Sequence, residues 1–359
     1  MKIMFQNPDT SETIYIEDKD LLIRDVANKI MKKYNLEKPP IFFTIMKENP
    51  ETETYLEEDD KLQKIDEDKL DEKTPVWWRS SEIDPDIVYQ LRTERFGRSG
   101  YELDKISKTN VLVAGVGLLG ADIAFDCAVL GIKNLTIIDY GSVDWFNIYR
   151  QSLYSKKDVF KSKVEVAKQN LEDMGGVKVK TLKIEIPSFI YLPEDKSIIQ
   201  NALSKIEPEI KKCDIVITAL DTFSARMMIQ TLTLANNKLL INTAAGLVGG
   251  VVQLVRIEEN DPCLACGIYF DRNQDVGACT LASFGTPKVI SGITMEIITN
   301  LIEGREIKYN HFKYIPQTYQ IEQNNFVKGK EFCDFCDKKE GIIFKYKKGE
   351  KKALIDWLY

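Results

Sequence analysis

The sequence has one histidine, no surplus of basic residues and no long apolar run. The single histidine, His311, lies in a strand-like stretch, and we interpret it as a structural residue. The formal net charge of −6 argues against a main function of binding along nucleic-acid phosphates. The longest uncharged run, Leu239–Val255, has 17 residues and includes three glycines, so it is too short and too polar to span a membrane. The sequence therefore predicts neither nucleic-acid binding nor membrane insertion.

The N-terminus lacks the apolar core of a secretory signal, and on this basis we expect a cytoplasmic protein. Seven cysteines are present, and in a reducing compartment they favour metal binding or thiol catalysis over disulfides. Apolar residues make up 44% of the chain and charged residues 29%, which is typical of a soluble globular protein. A length of 359 residues predicts two domains, or one large domain with an appendage.

The acidic residues are concentrated in the N-terminal fifth of the chain. Residues 1–75 contain 12 Lys and Arg against 19 Asp and Glu, a net charge of −7, whereas the remaining 284 residues carry a net charge of +1. We therefore predict a domain boundary near residue 79. The predicted division is an acidic α+β domain at 1–79, a larger domain at 80–340 and a tail at 341–359.

The N-terminal fifth has the pattern of a small α+β domain. Short extended runs at 2–6 and 12–16 flank a turn-rich segment, and apolar residues at helical spacing follow from Leu22 to Met31. A strand at 41–46, an acidic stretch at 48–72 expected to be mostly loop, and a strand at 76–79 complete the domain. This order resembles a ubiquitin-like β-grasp domain, and the alternative is an acidic α+β appendage. In the first case we expect a docking module, because the chain continues past residue 79 without a free diglycine tail.

A strand, a glycine turn and a helix follow. The apolar run Asn110–Ala114 leads into Gly115-x-Gly117-x-x-Gly120 and a helix-forming segment. Such glycines permit a tight turn and close approach of phosphates, and the helix N-terminus offers unpaired N–H groups. Asp139 ends the next strand, 19 residues past Gly120, where it is placed to accept ribose hydroxyls. The pattern predicts a nucleotide site in a doubly wound, Rossmann-like α/β sheet, and taken alone it favours an NAD or FAD oxidoreductase.

The residues after Asp139 indicate a different chemistry. Asn147-x-x-Arg150-Gln151 begins eight residues past Asp139, and Lys163 opens the next helical segment. This combination resembles the adenylation domain of ubiquitin-activating enzymes and of their bacterial relatives ThiF and MoeB. The resemblance covers residues 91–336. Its short sequence motifs are most similar to those of the non-heterodimeric activating enzymes of autophagy and of ubiquitin-fold modifier. It implies that Asn147, Arg150 and Lys163 bind ATP phosphates, with Gln151 alongside, since adenylation concentrates negative charge on the triphosphate.

The same resemblance implies two further features. Asp221, at the end of an apolar strand, would engage magnesium and ATP with Arg226 in support, whereas the alternative for Asp221 is an ordinary helix N-cap. Relatives also carry an upstream arginine that reaches into the ATP site of a partner subunit. The register leaves Arg92 and Arg95 both open for this role, and the feature implies a homodimer.

Two C-x-x-C pairs, Cys263/Cys266 and Cys333/Cys336, can each bind one metal with two thiolates. Four thiolates without a nearby histidine suit a closed, tetrahedral structural zinc. The 66 residues between the pairs exceed zinc-ribbon spacing, but many relatives have two such pairs flanking the catalytic segment. We therefore predict a zinc site, with a redox disulfide as the main alternative.

Cys279 lies between these pairs, in a segment of glycine, threonine and serine that we expect to be a loop. A lone cysteine is usually a buried small apolar residue, as we expect for Cys127 and Cys213. The corresponding position in the resembling enzymes holds the thioester cysteine, so we predict that Cys279 is the nucleophile, with a buried or gating role as the alternative. No histidine is needed to activate it, because an acyl-adenylate reacts with a small thiolate fraction.

Together these features predict an ATP-dependent enzyme that adenylates the C-terminal glycine of a ubiquitin-like modifier. Cys279 would then capture the acyl group as a thioester and pass it to a conjugating enzyme. The nearest alternative is a sulfur-carrier adenylyltransferase of the ThiF or MoeB kind, without durable thioester transfer. Alternatives of another class are an NAD or FAD oxidoreductase and a catalytically idle scaffold. The lysine-rich, partly apolar tail at 342–359 is expected either to pack on the core or to dock the conjugating enzyme.

Overall fold

The structure is a computed structural model that describes residues 3–7, 13–16, 22–34, 39–45, 53–56, 76–79, 89, 93–94, 96–189, 192–256, 261–266, 282–328 and 332–359. The chain divides into two compact units, residues 1–87 and 88–359, and each is described by itself. Among the described residues, no helix is both long enough and apolar enough to cross a lipid bilayer.

The described part of the first unit is a five-stranded sheet with one helix. Its elements are β1 (Ile3–Gln6), β2 (Thr13–Ile16), α1 (Ile23–Tyr34), β3 (Ile41–Ile45), β4 (Glu53–Leu56) and β5 (Val76–Arg79). The strand order is β2-β1-β5-β3-β4; β1 and β5 are parallel, and all other neighbours are antiparallel. Helix α1 forms because apolar residues recur at helical spacing, and it packs that face against the sheet. The shared core contains Phe5, Ile16, Ile23, Val26, Ala27, Ile30, Phe42, Val76 and Trp78.

Strand β4 lies inside the acidic stretch at 48–72, where the sequence pattern did not predict a strand. It pairs antiparallel with β3, with Thr54 opposite Thr44. Acidic residues have low strand propensity, so composition alone favoured a loop here. At the edge of a sheet, however, charged residues are tolerated because one side of the strand faces solvent.

The second unit is built around an eight-stranded sheet. Its strands are β6 (Asn110–Ala114), β7 (Asn134–Ile138), β8 (Lys178–Leu182), β9 (Ile215–Thr218), β10 (Leu239–Ala245), β11 (Gly250–Val255), β12 (His311–Ile315) and β13 (Gln320–Asn324). Its helices are α2 (Leu103–Lys108), α3 (Leu118–Leu130), α4 (Lys163–Glu172), α5 (Lys196–Lys212), α6 (Phe223–Ala235), α7 (Gly285–Glu303), α8 (Ile342–Lys347) and α9 (Lys352–Leu358).

The strand order β13-β12-β11-β10-β9-β6-β7-β8 contains five parallel strands, β8, β7, β6, β9 and β10. The chain order reverses between β6 and β9, which is the switch point where doubly wound sheets bind ligands. Helices cover both faces: Val111 and Val113 belong to one core with α3 and α7, whereas Leu112 and Ala114 belong to the other with α5 and α6. This arrangement confirms the predicted Rossmann-like α/β fold.

The tail packs on the core of the second unit. Helices α8 and α9 bury Ile343, Tyr346, Leu354, Ile355 and Leu358 in the same core as α5 and α6. The ring of Trp357 lies 4.9 Å from that of Phe189 and 4.8 Å from that of Phe335. The apolar residues of the tail therefore serve internal packing, which is the first of the two expectations from sequence.

Candidate active site

The glycine turn between β6 and α3 is built by close backbone contacts. Gly115 has a φ of +90°, and a Cβ on it would lie 2.6 Å from the main-chain oxygen of Ala219. A Cβ on Gly120 would lie 1.9 Å from the main-chain oxygen of Gly115. Gly117 is the N-cap of α3, and a Cβ there would meet no described atom within 4 Å. The turn is therefore tight on its inner side and open at the helix N-terminus, as a phosphate-binding turn requires.

Asp139 joins the glycine turn to the loop after β7. Its Oδ2 accepts the N–H of Val116 at 2.9 Å, and its Oδ1 accepts the N–H of Gly141 at 2.8 Å. Each carboxylate oxygen retains a further acceptor position. The structure thus gives Asp139 a role in holding the turn that the sequence did not predict, and contact with ribose hydroxyls stays a prediction.

Asp221, Asp139 and Lys163 interact near the carboxyl ends of β7 and β9. Burial raises the pKa of Asp221, while the charges of Arg226 and Lys163 act to lower it and that of Asp139 acts to raise it. Lys163 extends beside Gly141, since a Cβ on that glycine would lie 3.7 Å from the Lys163 Cδ. A lysine and two carboxylates that influence one another near a switch point suit a metal-bound polyphosphate.

The N-cap of α6 is Thr222, whose hydroxyl accepts the N–H of Ala225 at 3.3 Å. The N-cap alternative for Asp221 is therefore wrong. Asp221 is exposed as a whole residue, although the surrounding protein desolvates its carboxyl group enough to raise the pKa.

Arg226 holds the ends of β9 and β10 together. Its Nη1 donates to the Asn242 Oδ1 and to the main-chain oxygen of Thr243, both at 2.6 Å, and its Nη2 donates to the main-chain oxygen of Leu220. Burial lowers the pKa of Arg226 to about 10, against the opposing effect of Asp221. Arg226 therefore remains charged at neutral pH and positions the backbone that carries Asp221.

Residues 147–151 form a turn in the loop that follows the carboxyl end of β7. The main-chain oxygen of Asn147 accepts the N–H groups of Arg150 at 3.1 Å and Gln151 at 2.9 Å. The Asn147 Oδ1 accepts the N–H of Asp144 at 2.9 Å, which leaves its amide nitrogen as the donor for a ligand. Gln151 is buried, and its Oε1 has no hydrogen-bond partner among the described residues. Two main-chain hydrogen bonds thus close the turn.

Three side chains anchor this turn, and the sequence analysis did not identify them as part of the site. The Tyr154 hydroxyl donates to the main-chain oxygen of Val116, inside the glycine turn, at 2.7 Å. The Asn170 Nδ2 donates to the main-chain oxygen of Leu153 at 2.7 Å, and the Ser152 hydroxyl donates to Asp122 at 2.8 Å. Burial raises the pKa of Tyr154, so it stays a neutral donor. The sequence feature that pointed to Tyr154 was the pair Leu153-Tyr154, which follows Asn147-x-x-Arg150-Gln151 after one residue.

Three predicted site residues, Arg92, Arg95 and Cys279, lie outside the described residues. The two cysteines expected to be buried are buried: burial raises the pKa of Cys127, and it raises that of Cys213 to about 11. Both thiols are therefore protonated at neutral pH and poor nucleophiles.

The two C-x-x-C pairs come together as one cluster. The Sγ atoms of Cys263, Cys266, Cys333 and Cys336 all lie within 4.8 Å of one another. Individual separations are 3.7 Å for Cys263 to Cys333, 3.8 Å for Cys263 to Cys266 and 3.4 Å for Cys266 to Cys336. A tetrahedral ion with metal–sulfur bonds of about 2.3 Å places its sulfurs roughly 3.8 Å apart, so the cluster fits one such ion. Metal binding at this cluster would require the thiols in their deprotonated form.

Comparison with known proteins assigns a family to the second unit. Residues 88–334 match the ThiF family. The ubiquitin-like modifier-activating enzyme ATG7 of Saccharomyces cerevisiae is 27% identical over 214 residues, which cover 56% of this chain and 34% of that protein. The adenylyltransferase and sulfurtransferase MOCS3-1 of Zea mays is 29% identical over 215 residues, which cover 58% and 42% of the two chains. This chain thus spans about a third of the length of the ATG7 enzymes it matches.

Solved structures share the fold. The crystal structure of Escherichia coli MccB with ATP superposes with a TM-score of 0.54 at 19% identity, covering 66% of this chain and 68% of that one. MccB, the microcin C7 biosynthetic enzyme, in complex with N-formylated MccA gives a TM-score of 0.56 at 18% identity, covering 70% and 75%.

Proposed function

The chain belongs to the ThiF family, and from this premise we propose that it uses ATP to adenylate the C-terminal glycine of a ubiquitin-like protein. One observation carries the proposal. The glycine turn, Asp139, Lys163 and Asp221 converge at the switch point of the sheet, where an open α/β sheet binds its ligand. The names of the ATG7 and MOCS3-1 relatives agree with this chemistry.

The proposed first step is acyl adenylation. A carboxylate oxygen of the modifier's terminal glycine attacks the α-phosphorus of ATP, and pyrophosphate leaves with the electron pair of the broken P–O bond. Asn147, Arg150 and Lys163 would hold the phosphates, and the N–H groups at the start of α3 would add donors without further reorganisation. Asp221 would bind magnesium, which supplies positive charge to the departing pyrophosphate. Asp139 and Gln151 complete the proposed nucleotide site.

The proposed second step is thioester formation on Cys279. Its thiolate attacks the acyl carbon, and AMP leaves, which conserves the energy of the adenylate in the thioester. The support for this step comes from the sequence alone, because Cys279 lies outside the described residues. In the sequence, Cys279 has the neighbouring residues expected of a catalytic cysteine. The alternative is a sulfur-carrier adenylyltransferase, and the match to MOCS3-1 supports it.

The remaining parts of the proposal concern assembly. The four-cysteine cluster would hold a structural zinc. The N-terminal unit would be a β-grasp docking module, a proposal that its central parallel pair β1–β5 and the packing of helix α1 on the sheet support. We further propose a cytoplasmic homodimer, in which Arg92 or Arg95 reaches the partner's ATP site.

The test uses small proteins that end in Gly-Gly and are encoded beside this gene as candidate modifiers. The expected result is modifier-dependent exchange of pyrophosphate into ATP, lost in Asp221→Ala, and a covalent adduct that dithiothreitol removes. Cys279→Ala should abolish the adduct and keep the exchange, whereas Cys213→Ala, which removes a buried thiol, should keep both.

Each alternative has its own outcome. Exchange without any adduct in the wild-type protein would favour the sulfur-carrier function. Protection against thermal unfolding by NAD but not by MgATP would favour an oxidoreductase. The absence of both exchange and nucleotide binding would leave the scaffold as the better description.

A further inference from the structure

A buried carboxylate on α3 connects the phosphate-binding turn to a second helix. Asp122 lies in the first two turns of α3, just past Gly120, and only 2% of its surface is exposed. Its Oδ1 accepts the Ser152 hydroxyl at 2.8 Å and the Lys288 Nζ at 2.6 Å. Its Oδ2 is buried and has no hydrogen-bond partner among the described residues. One side chain thus joins three elements: α3, the segment after Gln151, and α7.

Packing alone does not explain a buried carboxylate at position 122. Taking a carboxylate out of water is costly, and a well-packed apolar residue would hold two helices together at least as well. The partial compensation comes from Lys288, whose side chain is 47% exposed and brings its ammonium to the carboxylate from the solvent side. An ion pair also fixes the orientation of the carboxylate, and that orientation directs Oδ1 towards Ser152.

A second polar contact joins the same two helices, and it distinguishes the packing of α3 on α7 from the positioning of the turn at 147–155. Asp126, one turn later on α3, accepts the Ser291 hydroxyl of α7 at 2.6 Å. This contact joins α3 to α7 in the same way, but it does not reach the turn at 147–155. Helix packing is therefore served at Asp126 as well, and the distinct contribution of Asp122 is its bond to Ser152, the residue next to Gln151.

We infer that Asp122 is a positioning residue for the proposed ATP site: with its carboxylate held by Lys288, it keeps Arg150 and Gln151 in register with the glycine turn through Ser152. This inference rests on the proposed function. Asp122 touches no phosphate itself; it acts through the turn, together with the Tyr154 bond to Val116. Misplacing phosphate ligands by a fraction of an ångström weakens their contacts steeply.

The first measurement needs no activity. Amide hydrogen exchange in residues 147–155 reports the turn directly, because the N–H groups of Arg150 and Gln151 donate to Asn147. Asp122→Leu and Ser152→Ala should each accelerate exchange there at least tenfold. Asp122→Asn retains an oxygen that accepts from Ser152 and should stay within threefold of the wild type, which is rescue by the conservative variant. Asp126→Leu, which makes the same change one helical turn later, is the matched control and should leave these amides unchanged.

The second measurement is the dissociation constant for MgATP by calorimetry on the full chain. It should rise about tenfold in Asp122→Leu and Ser152→Ala, and less than twofold in Asp126→Leu, even at equal loss of melting temperature. Ser152→Ala, at an exposed residue, keeps the test decisive if Asp122→Leu fails to fold. Unchanged exchange in Ser152→Ala, or equal effects of Asp126→Leu and Asp122→Leu, would overturn the inference. A wild-type protein that binds no MgATP would refute the proposed function instead, while the amide exchange still decides the role of Asp122.

Discussion

Glu207 on α5 is expected to hold the C-terminal helices through its charge. The Glu207 Oε2 accepts the Tyr346 hydroxyl at 3.0 Å and the Lys351 Nζ at 2.7 Å, and its Oε1 lies 3.0 Å from the Lys211 Nζ. The carboxylate side chain is 9% exposed. Burial by itself would raise the pKa of Glu207, but hydrogen bonds from Lys351, Lys211 and Tyr346 outweigh it and lower the pKa from 4.5 to about 2.

The size of the effect follows from this shift. Because the pKa in the folded state is lower than in the unfolded state, the carboxylate stabilises the fold above pH 4.5 and loses that contribution as pH falls towards 2. One pKa unit corresponds to about 1.4 kcal/mol, so the contribution is about 3 kcal/mol at pH 7 and about 1 kcal/mol at pH 3. Glu207→Gln should therefore lower the free energy of unfolding at pH 7 by about 2–3 kcal/mol.

The assay is urea unfolding of the wild-type protein and Glu207→Gln from pH 7 to pH 3, with amide exchange in residues 342–358 as the local readout. The control is Glu340→Gln, at an exposed pair whose carboxylate lies 3.5 Å from the Lys345 Nζ and which should change stability by about 0.5 kcal/mol or less. A deficit of equal size at pH 7 and pH 3 would mean that packing, not charge, is responsible. A variant as stable as the wild type at pH 7 would refute the reasoning altogether.

Three further outcomes are expected. Gly120→Ala should abolish MgATP binding in calorimetry, because its Cβ would lie 1.9 Å from a main-chain oxygen, whereas Gly292→Ala, with no described atom within 4 Å of the new Cβ, should bind normally. Cys336→Ser should reduce the zinc content measured by mass spectrometry from one ion per chain and accelerate amide exchange in the adjacent α8; one retained ion would contradict a four-thiolate site. Lys288→Met should lower the free energy of unfolding by about 1–2 kcal/mol, and Asp122→Asn should relieve part of that loss in a double-mutant cycle, whereas simple additivity would show that the two do not interact.

Much of the fold was predictable from local pattern. Strand β6 and the helix after the glycine turn follow from an apolar run and from glycine spacing, and β5 was predicted at residues 76–79. These features depend on neighbouring residues in the chain, because side-chain periodicity and backbone strain are local properties. Strand β4 was missed for the complementary reason: it lies within an acidic stretch, and its pairing with β3 is a contact between segments that are apart in the chain.

The sequence by itself predicted a nucleotide site in an α/β sheet and a cysteine pair at each end of a long segment, and it identified the family through the register of Asn147, Arg150 and Lys163. Only the tertiary structure decided that the four cysteines meet, that the tail packs on the core and that Thr222 caps α6. The same holds for the link from Asp122 to Lys288, 166 residues apart. The physical reason is that such contacts depend on how all the elements pack together, and no local pattern in the chain encodes which distant side chains will be neighbours.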